Sequence, residues 1–152
     1  MTDYGALCAQ LKSLTGGVEN RITNLANAAA LLYFTMPQTN WAGFYIANGR
    51  TLELGPFVGK PACVAIPFGK GVCGTVAVTG KTELVPYVHN FPGHIVCDLD
   101  SNSEIVVPVY NGETLFGVMD IDSPQPGRFN EDDREGLEAY VKTLEAALFG
   151  NP

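Results

Sequence analysis

The sequence predicts an α+β fold in a single domain, residues 1–152, with helices near both termini packed on an antiparallel sheet. Two observations support this prediction. Two pairs of β-type runs are each joined by an Asn-Gly step, which favours tight hairpins and therefore antiparallel strands. Two segments flank these hairpins in the chain, and their apolar residues recur every three or four positions. This is the spacing of amphipathic helices that cover one face of a sheet.

The first elements are a helix and a hairpin. Apolar residues recur every three or four positions from Arg21 to Phe34, and Pro37 is expected to end this helix. The runs Trp41 to Ile46 and Thr51 to Val58 are β-type and are joined by Asn48-Gly49, for which we expect a type I′ turn.

The last elements repeat this pattern in reverse order. The runs Glu104 to Tyr110 and Thr114 to Ile121 flank Asn111-Gly112, and Pro108 limits how far the first run can pair continuously. A final helix is expected to begin after Asn130, because this N-cap residue precedes three acidic residues and then an apolar stripe. Between the two hairpins we expect a glycine-rich centre with shorter strands.

Carboxylates at the end of the second hairpin form a candidate acidic cluster. Asp120 and Asp122 alternate with an apolar residue and so share one face of the sheet. A two-residue Asn-Gly loop would place them opposite Ser103 and Ser101. Glu104 is adjacent in this ladder but faces the other way, unless a bulge near the proline shifts the register. A solvated sheet edge is the alternative interpretation of these acids.

Composition limits the partners. The formal net charge is −7 and the chain has only nine Lys plus Arg residues, which disfavours binding to nucleic acid or to acidic lipid surfaces. The start of the chain lacks the pattern of a signal peptide, and no apolar run is long enough to span a membrane. We therefore expect a cytoplasmic protein that acts on a small molecule.

Three cysteines stand out from the fourth. Cys63, Cys73 and Cys97 are surrounded by glycine and proline, which favours turns that expose thiols in a cleft, so thiol redox catalysis is the first hypothesis. Cys73 has glycines around it at a potential helix N-terminus, which would lower its pKa, whereas an acidic neighbour opposes ionisation of Cys97. Cys8 lies in an N-terminal helical segment and is interpreted as a packing residue.

Two other kinds of site are considered and disfavoured. The run Gly69 to Gly74 matches G-x-G-x-x-G, but too few residues follow it for the crossover helix of a dinucleotide-binding unit. The alternative that this glycine run forms a loop which binds a small anion remains open. The three cysteines with His89 and His94 could bind zinc, but their spacings lack paired C-x2-4-C knuckles, so no metal is expected.

Trp41 and Tyr45 lie four residues apart in a strand and so share one face, while Phe44 points to the other. Core packing is the usual role of such a pair. An aromatic wall beside reactive thiols would also suit a small sulfur-containing group.

Four segments together resemble the free methionine-(R)-sulfoxide reductases, a stand-alone group within the GAF-domain fold. They read NWAGFYI, LGPFVGKPACVAIPFGKGVCG, FPGHIVCDLDSNSEIVVPV and FGVMDIDSP, and the resemblance runs from about residue 35 to 148. It implies a central antiparallel sheet of six strands with helices packed on it, and commonly a homodimer.

The resemblance also implies an activity and residue roles. It implies reduction of the R-sulfoxide of free methionine, with thioredoxin as the reductant and without a cofactor. By this similarity Cys97 is the nucleophile, Cys63 the resolving thiol and Cys73 an auxiliary thiol. The remaining roles are as follows: Glu104 and Asp122 are the acids at the sulfoxide, and Asp120, Trp41 and Tyr45 line the substrate pocket.

A function of another class remains as the alternative. Generic GAF domains share this fold and act as non-enzymatic sensors that bind a small molecule or respond to redox state. Such sensors normally accompany an output domain, for which this chain has no room.

Overall fold

A computed structural model describes residues 1–94 and 100–150, and a six-stranded antiparallel sheet forms its centre. The strands are β1 (Trp41–Asn48), β2 (Thr51–Gly59), β3 (Ala65–Pro67), β4 (Glu83–Val85), β5 (Ser103–Asn111) and β6 (Thr114–Ser123). Their order across the sheet is β3-β2-β1-β6-β5-β4. The expected α+β fold with six antiparallel strands is confirmed.

Four α-helices accompany the sheet in the described part of the chain. They are α1 (Tyr4–Thr15), α2 (Arg21–Thr35), α3 (Gly71–Thr79) and α4 (Glu131–Phe149). The expected end of α2 before Pro37 and start of α4 after Asn130 are confirmed. The Asn130 side chain accepts a hydrogen bond from the Asp133 amide, and the Asp133 carboxylate accepts one from the Asn130 amide. This capping box satisfies two amides at the start of α4.

The two faces of the sheet are covered differently. One face carries the larger core, built with α1, α2 and α4 and including Phe44, Ile105 and Met119. The other face carries a smaller core, built with α3 and including Tyr45, Val106 and Val118. The strand residues alternate between these cores because successive side chains of a strand point to opposite faces.

The glycine-rich centre contains the expected short strands, β3 and β4, and between them Gly71–Thr79 forms a helix. Val72 and Val76 are buried against the smaller core, and Gly80 ends the helix in a left-handed conformation with φ 70°. Apolar burial on the sheet therefore outweighs the turn preference of the glycines. At nine residues α3 is also too short for the crossover of a dinucleotide-binding unit.

Both hairpin loops lie one residue later than the sequence predicts. Asn48 pairs with Thr51 and Asn111 pairs with Thr114, so each loop begins at the glycine rather than at the asparagine. In both loops only the glycine has a positive φ, whereas a type I′ turn needs positive φ at both central residues. The type I′ expectation is therefore wrong.

The helices of residues 1–94 and 100–150 include none that is both long and apolar enough to cross a bilayer.

Candidate active site

A cavity lies on the α3 side of the sheet, where the start of α3 meets the middle of the sheet. It is lined by four groups of residues: Trp41 and Tyr45 of β1; Lys60, Pro61, Ala62 and Ile66 of the β2–β3 segment; Lys70, Gly71, Val72 and Cys73 at the start of α3; and Val88, His94, Ser101, Glu104, Asp120 and Asp122. Six of the eight residues that the sequence predicts for the site line this cavity.

The three carboxylates meet because of the register between β5 and β6. Glu104 pairs with Asp122, and Asp120 pairs with Val106, so the expected partners Ser103 and Ser101 are wrong. An irregularity between Val109 and Tyr110 shifts the pairing by one residue, next to the proline where a bulge was considered. Since a shift of one residue moves a side chain to the other face, the bulge turns Glu104 towards both aspartates.

Burial and mutual repulsion govern the protonation of these acids. Burial, and then the charges of Asp120 and Asp122, raise the pKa of Glu104 well above its usual range. Burial also raises the pKa of Asp120, but hydrogen bonds with Glu104, Cys73 and Asp122 oppose this rise. Glu104 is therefore the best proton donor of the cluster, and Asp120 is the better anion.

Cys73 lies in the first turn of α3 and is buried against the carboxylates. Its Sγ atom and one carboxylate oxygen each of Glu104 and Asp120 lie within 4.8 Å of one another. Burial, and then the negative charges of the acids, raise the pKa of the Cys73 thiol well above its usual range. The sequence-based expectation of a lowered pKa is therefore wrong, because burial and carboxylates outweigh the helix N-terminus.

Trp41 and Tyr45 share one face of the sheet as expected, and their stacked rings, with centroids 6.0 Å apart, form an aromatic wall. Both alternatives for the pair apply, because the rings belong to the smaller core and also line the cavity. They also hold the chain after β2. The Trp41 indole donates a hydrogen bond to the Lys60 carbonyl at 3.1 Å, and the Tyr45 hydroxyl donates one to the Cys63 carbonyl at 2.9 Å. The main chain of Cys63 is thus fixed beside the cavity.

Glycine allows the close packing of this wall. A Cβ atom at Gly43 would lie 2.3 Å from the Phe57 Cβ, and one at Gly59 would lie 2.5 Å from the Trp41 ring. The Trp41 ring also stacks on Phe57 with centroids 5.2 Å apart. Substitution of either glycine would therefore displace the indole that lines the cavity.

The cysteines have different states. Cys63 is disulfide-bonded, whereas Cys8 and Cys73 are free thiols. Cys8 packs against the larger core, as expected for a packing residue. Cys97, the predicted nucleophile, lies outside the described residues.

Sequence reasoning missed several polar residues that line the cavity. The sequence suggested His94 only as a zinc ligand and Ser101 only as a ladder partner of Asp122, and it gave no role to Lys60 or Lys70. Both lysines follow a glycine of positive φ, so the two Gly-Lys steps were an available signal for segments that turn into a site. Burial, and then His89, lower the pKa of His94.

The fold and this geometry can be compared with known proteins. Residues 20–148 match the GAF domain model. The chain is 46% identical over 145 residues to the free methionine-R-sulfoxide reductase of Escherichia coli, covering 95% of this chain and 88% of that protein.

Two solved structures agree with this match. The fRMsr of Staphylococcus aureus, in a complex with substrate, is 47% identical with a TM-score of 0.93, covering 97% of both chains. The free methionine-R-sulfoxide reductase of Neisseria meningitidis, in complex with its substrate, is 38% identical with a TM-score of 0.91, covering 95% of this chain and 87% of that one. The chain therefore belongs to the GAF-domain family and, within it, to the free methionine-R-sulfoxide reductases.

Proposed function

We propose that this protein reduces the R-sulfoxide of free methionine to methionine by thiol chemistry. The observation that carries the proposal is the cavity in which the buried acids Glu104 and Asp120 lie beside the aromatic wall and the Cys63 segment. The names of the E. coli relative and of the N. meningitidis structure supply the substrate class.

The first step forms a sulfenic acid. The thiolate of Cys97 attacks the sulfoxide sulfur and Glu104 protonates the sulfoxide oxygen. The S–O bond of the substrate then breaks as the oxygen is transferred to the Cys97 sulfur, which leaves methionine and Cys97 as S–OH. A carboxyl group can donate this proton only if it is protonated at working pH. The raised pKa of Glu104 supports this role, and Asp122, directly opposite in the sheet, completes the acid pair at the oxygen.

The second step restores the nucleophile. The Cys63 thiol attacks the sulfenic sulfur, water leaves, and a disulfide forms between Cys63 and Cys97. A dithiol reductant, proposed to be thioredoxin, then exchanges with this disulfide and returns both thiols. The bonded state of Cys63, and the hydrogen bond from Tyr45 that fixes its carbonyl, support a resolving role.

Recognition of the free amino acid needs partners for its ammonium and carboxylate groups. The Oδ1 atom of Asp120 is buried and has no hydrogen-bond partner among the described residues, which suits an ammonium. Gly71, Val72 and Cys73 of the first turn of α3 also line the cavity. The Gly71 amide donates to the Gly93 carbonyl, so the amides of Val72 and Cys73 are the ones proposed to bind the carboxylate at this helix N-terminus. The Trp41 ring packs on the thioether part of the substrate. A residue within a peptide has neither charged group, so it would not be selected.

We also infer a cytoplasmic enzyme that forms a homodimer, as the family resemblance implies. Neither inference enters the chemistry above, because every group that the first step uses comes from one chain.

The decisive experiment uses one turnover. Reduced protein is mixed with a slight excess of methionine-(R)-sulfoxide, and both free methionine and remaining thiols are counted. We expect one methionine released and two thiols lost per protein. A protein that binds the sulfoxide without releasing methionine would be a sensor domain instead, and equal rates on N-acetyl methionine sulfoxide amide would contradict the recognition of the free amino acid.

A further inference from the structure

Three potential metal ligands, one thiol and two carboxylates, converge in the cavity. The Sγ atom of Cys73 and one oxygen each of Glu104 and Asp120 lie within 4.8 Å of one another, and all three side chains are buried. They come from α3, β5 and β6, so three separate elements hold them in place. Thiolate, carboxylate and imidazole groups are the ligands that zinc uses in proteins.

A second observation at the same place concerns one oxygen of Asp120. Asp120 is 6% exposed and lines the cavity, yet its Oδ1 atom is buried without a hydrogen-bond partner among the described residues. A buried carboxylate oxygen without a partner is unfavourable. A bound cation would satisfy this oxygen and would reduce the repulsion between the acids.

We propose that Cys73, Glu104 and Asp120 form a site for one divalent cation of the zinc type. Zinc bonds of 2.0 to 2.3 Å in tetrahedral geometry separate neighbouring ligand atoms by about 3.5 Å, so the three atoms need to approach by about 1 Å. Water can supply the fourth ligand, because His94 lines the same cavity but lies outside this cluster of three ligand atoms. Binding releases the thiol proton and any carboxyl proton to solvent and changes no oxidation state.

The occupied site would exclude the substrate. The same Asp120 oxygen is proposed above to accept the substrate ammonium, so cation and amino acid compete for it. This inhibition rests on the proposed function, whereas cation binding itself does not.

Cobalt(II) is the appropriate test ion, because a cysteine thiolate bound to it gives a strong near-ultraviolet absorption band. Oxidised protein is titrated with cobalt chloride. The free thiols among the described residues are then Cys8 and Cys73, which lie in different cores. We expect the band in the wild-type protein and in Cys8→Ser, which is the matched control, and its loss in Cys73→Ser.

A carboxylate ligand is tested separately. Asp120→Asn keeps the size of the side chain and should weaken cobalt binding at least about tenfold, the smallest loss typical of residues that support metal ligands. A further measurement uses the wild-type protein alone, so its result does not depend on whether a variant folds. There, methionine-(R)-sulfoxide should raise the cobalt concentration required for half-saturation.

The outcomes separate the two proposals. No band in the wild-type protein, or a band that persists in Cys73→Ser, overturns the metal site, whatever the turnover experiment gives. A Cys73-dependent band that the sulfoxide does not weaken supports the site and overturns the inhibition. If the reduced protein releases no methionine but the cobalt band depends on Cys73, the proposed function fails and the metal site stands.

Discussion

Glu104 and Asp122 lie directly opposite each other in the β5–β6 ladder, on the face that lines the cavity. They share that face because of the irregularity between Val109 and Tyr110, which lies close to the loop of the same hairpin. Without this one-residue shift, Glu104 would point into the larger core, and its neighbour Ile105 would face the cavity instead. A bulge several residues away therefore determines whether Glu104 faces the cavity.

Replacement of Glu104 tests its role as the proton donor. Glu104→Gln keeps the shape and the hydrogen-bonding capacity of the side chain but removes the acidic proton. We expect methionine release in a single turnover to slow by about 10² to 10⁴-fold, the usual contribution of general acid catalysis. Rapid-quench measurement of methionine checks this. Glu53→Gln, on the exposed side of β2, is the control, and an unchanged rate in Glu104→Gln would refute the assignment.

Glu104 should also make stability depend on pH. Its pKa is raised in the folded protein above the unfolded value of about 4.3, so the folded state binds more protons between these two pKa values. Stability is therefore greatest below the unfolded pKa and falls as pH rises towards the folded pKa, by at most about 1.4 kcal/mol per pH unit for this group.

Glu104→Gln should remove this part of the pH dependence. We expect the variant to gain stability relative to the wild-type protein as pH rises from about 4 to 8, measured by urea unfolding across that range. Asp120, whose pKa is also raised, contributes in the same direction and remains in the variant. Parallel stability curves for the two proteins would contradict a protonated Glu104.

The elements at the two ends of the chain could be predicted because their signals are local. The spacing of apolar residues locates α2, and a cap with acidic neighbours locates the start of α4. The centre could not be predicted in the same way. There α3 forms because Val72 and Val76 are buried on the sheet, which is a tertiary effect that outweighs the local preference of glycine.

Within the candidate site, alternation in a strand was sufficient for Trp41, Tyr45 and the pair of aspartates, since it depends only on the period of the strand. To predict that Glu104 shares a face with the aspartates, one must know that the strand contains a bulge, and the sequence alone left the presence of a bulge open. The pKa of Cys73 was predicted in the wrong direction, because its carboxylate neighbours come from strands remote in the sequence.

Cys73 is expected to act as a hydrogen-bond donor rather than as an exchanging thiol. Its raised pKa keeps it protonated, and its side chain is hydrogen-bonded to Asp120. Cys73→Ser retains a donor and should keep turnover within a few-fold, whereas Cys73→Ala should raise KM about tenfold by removing a hydrogen bond to a charged group. Steady-state kinetics with thioredoxin check this. Equal loss of recycling in both variants would instead indicate that the sulfur itself exchanges.

Tyr45→Phe tests whether the anchored Cys63 main chain matters for recycling. The change removes the hydrogen bond to the Cys63 carbonyl but keeps the ring, so we expect disulfide formation after the first turnover to slow several-fold. Tyr140→Phe is a matched control, because its buried hydroxyl donates to the Ala28 carbonyl on the other face of the sheet. Each variant should lose about 1 kcal/mol of stability. Thiol counts over time would show a delay in Tyr45→Phe alone, and a similar delay in both would mean that stability, not position, is responsible.

The two proposed redox cysteines should fail at different steps. Cys97→Ser removes the nucleophile and should abolish methionine release even in a single turnover. Cys63→Ser should release one methionine and then stop, because the sulfenic acid has no resolving thiol. Trapping with dimedone, which reacts with sulfenic acids, should therefore label Cys63→Ser strongly and Cys97→Ser not at all, while Cys8→Ser should behave like the wild-type protein. The reverse pattern, with one turnover retained in Cys97→Ser and none in Cys63→Ser, would exchange the roles of the two sulfurs and leave the acid at Glu104 as the part of the mechanism still supported.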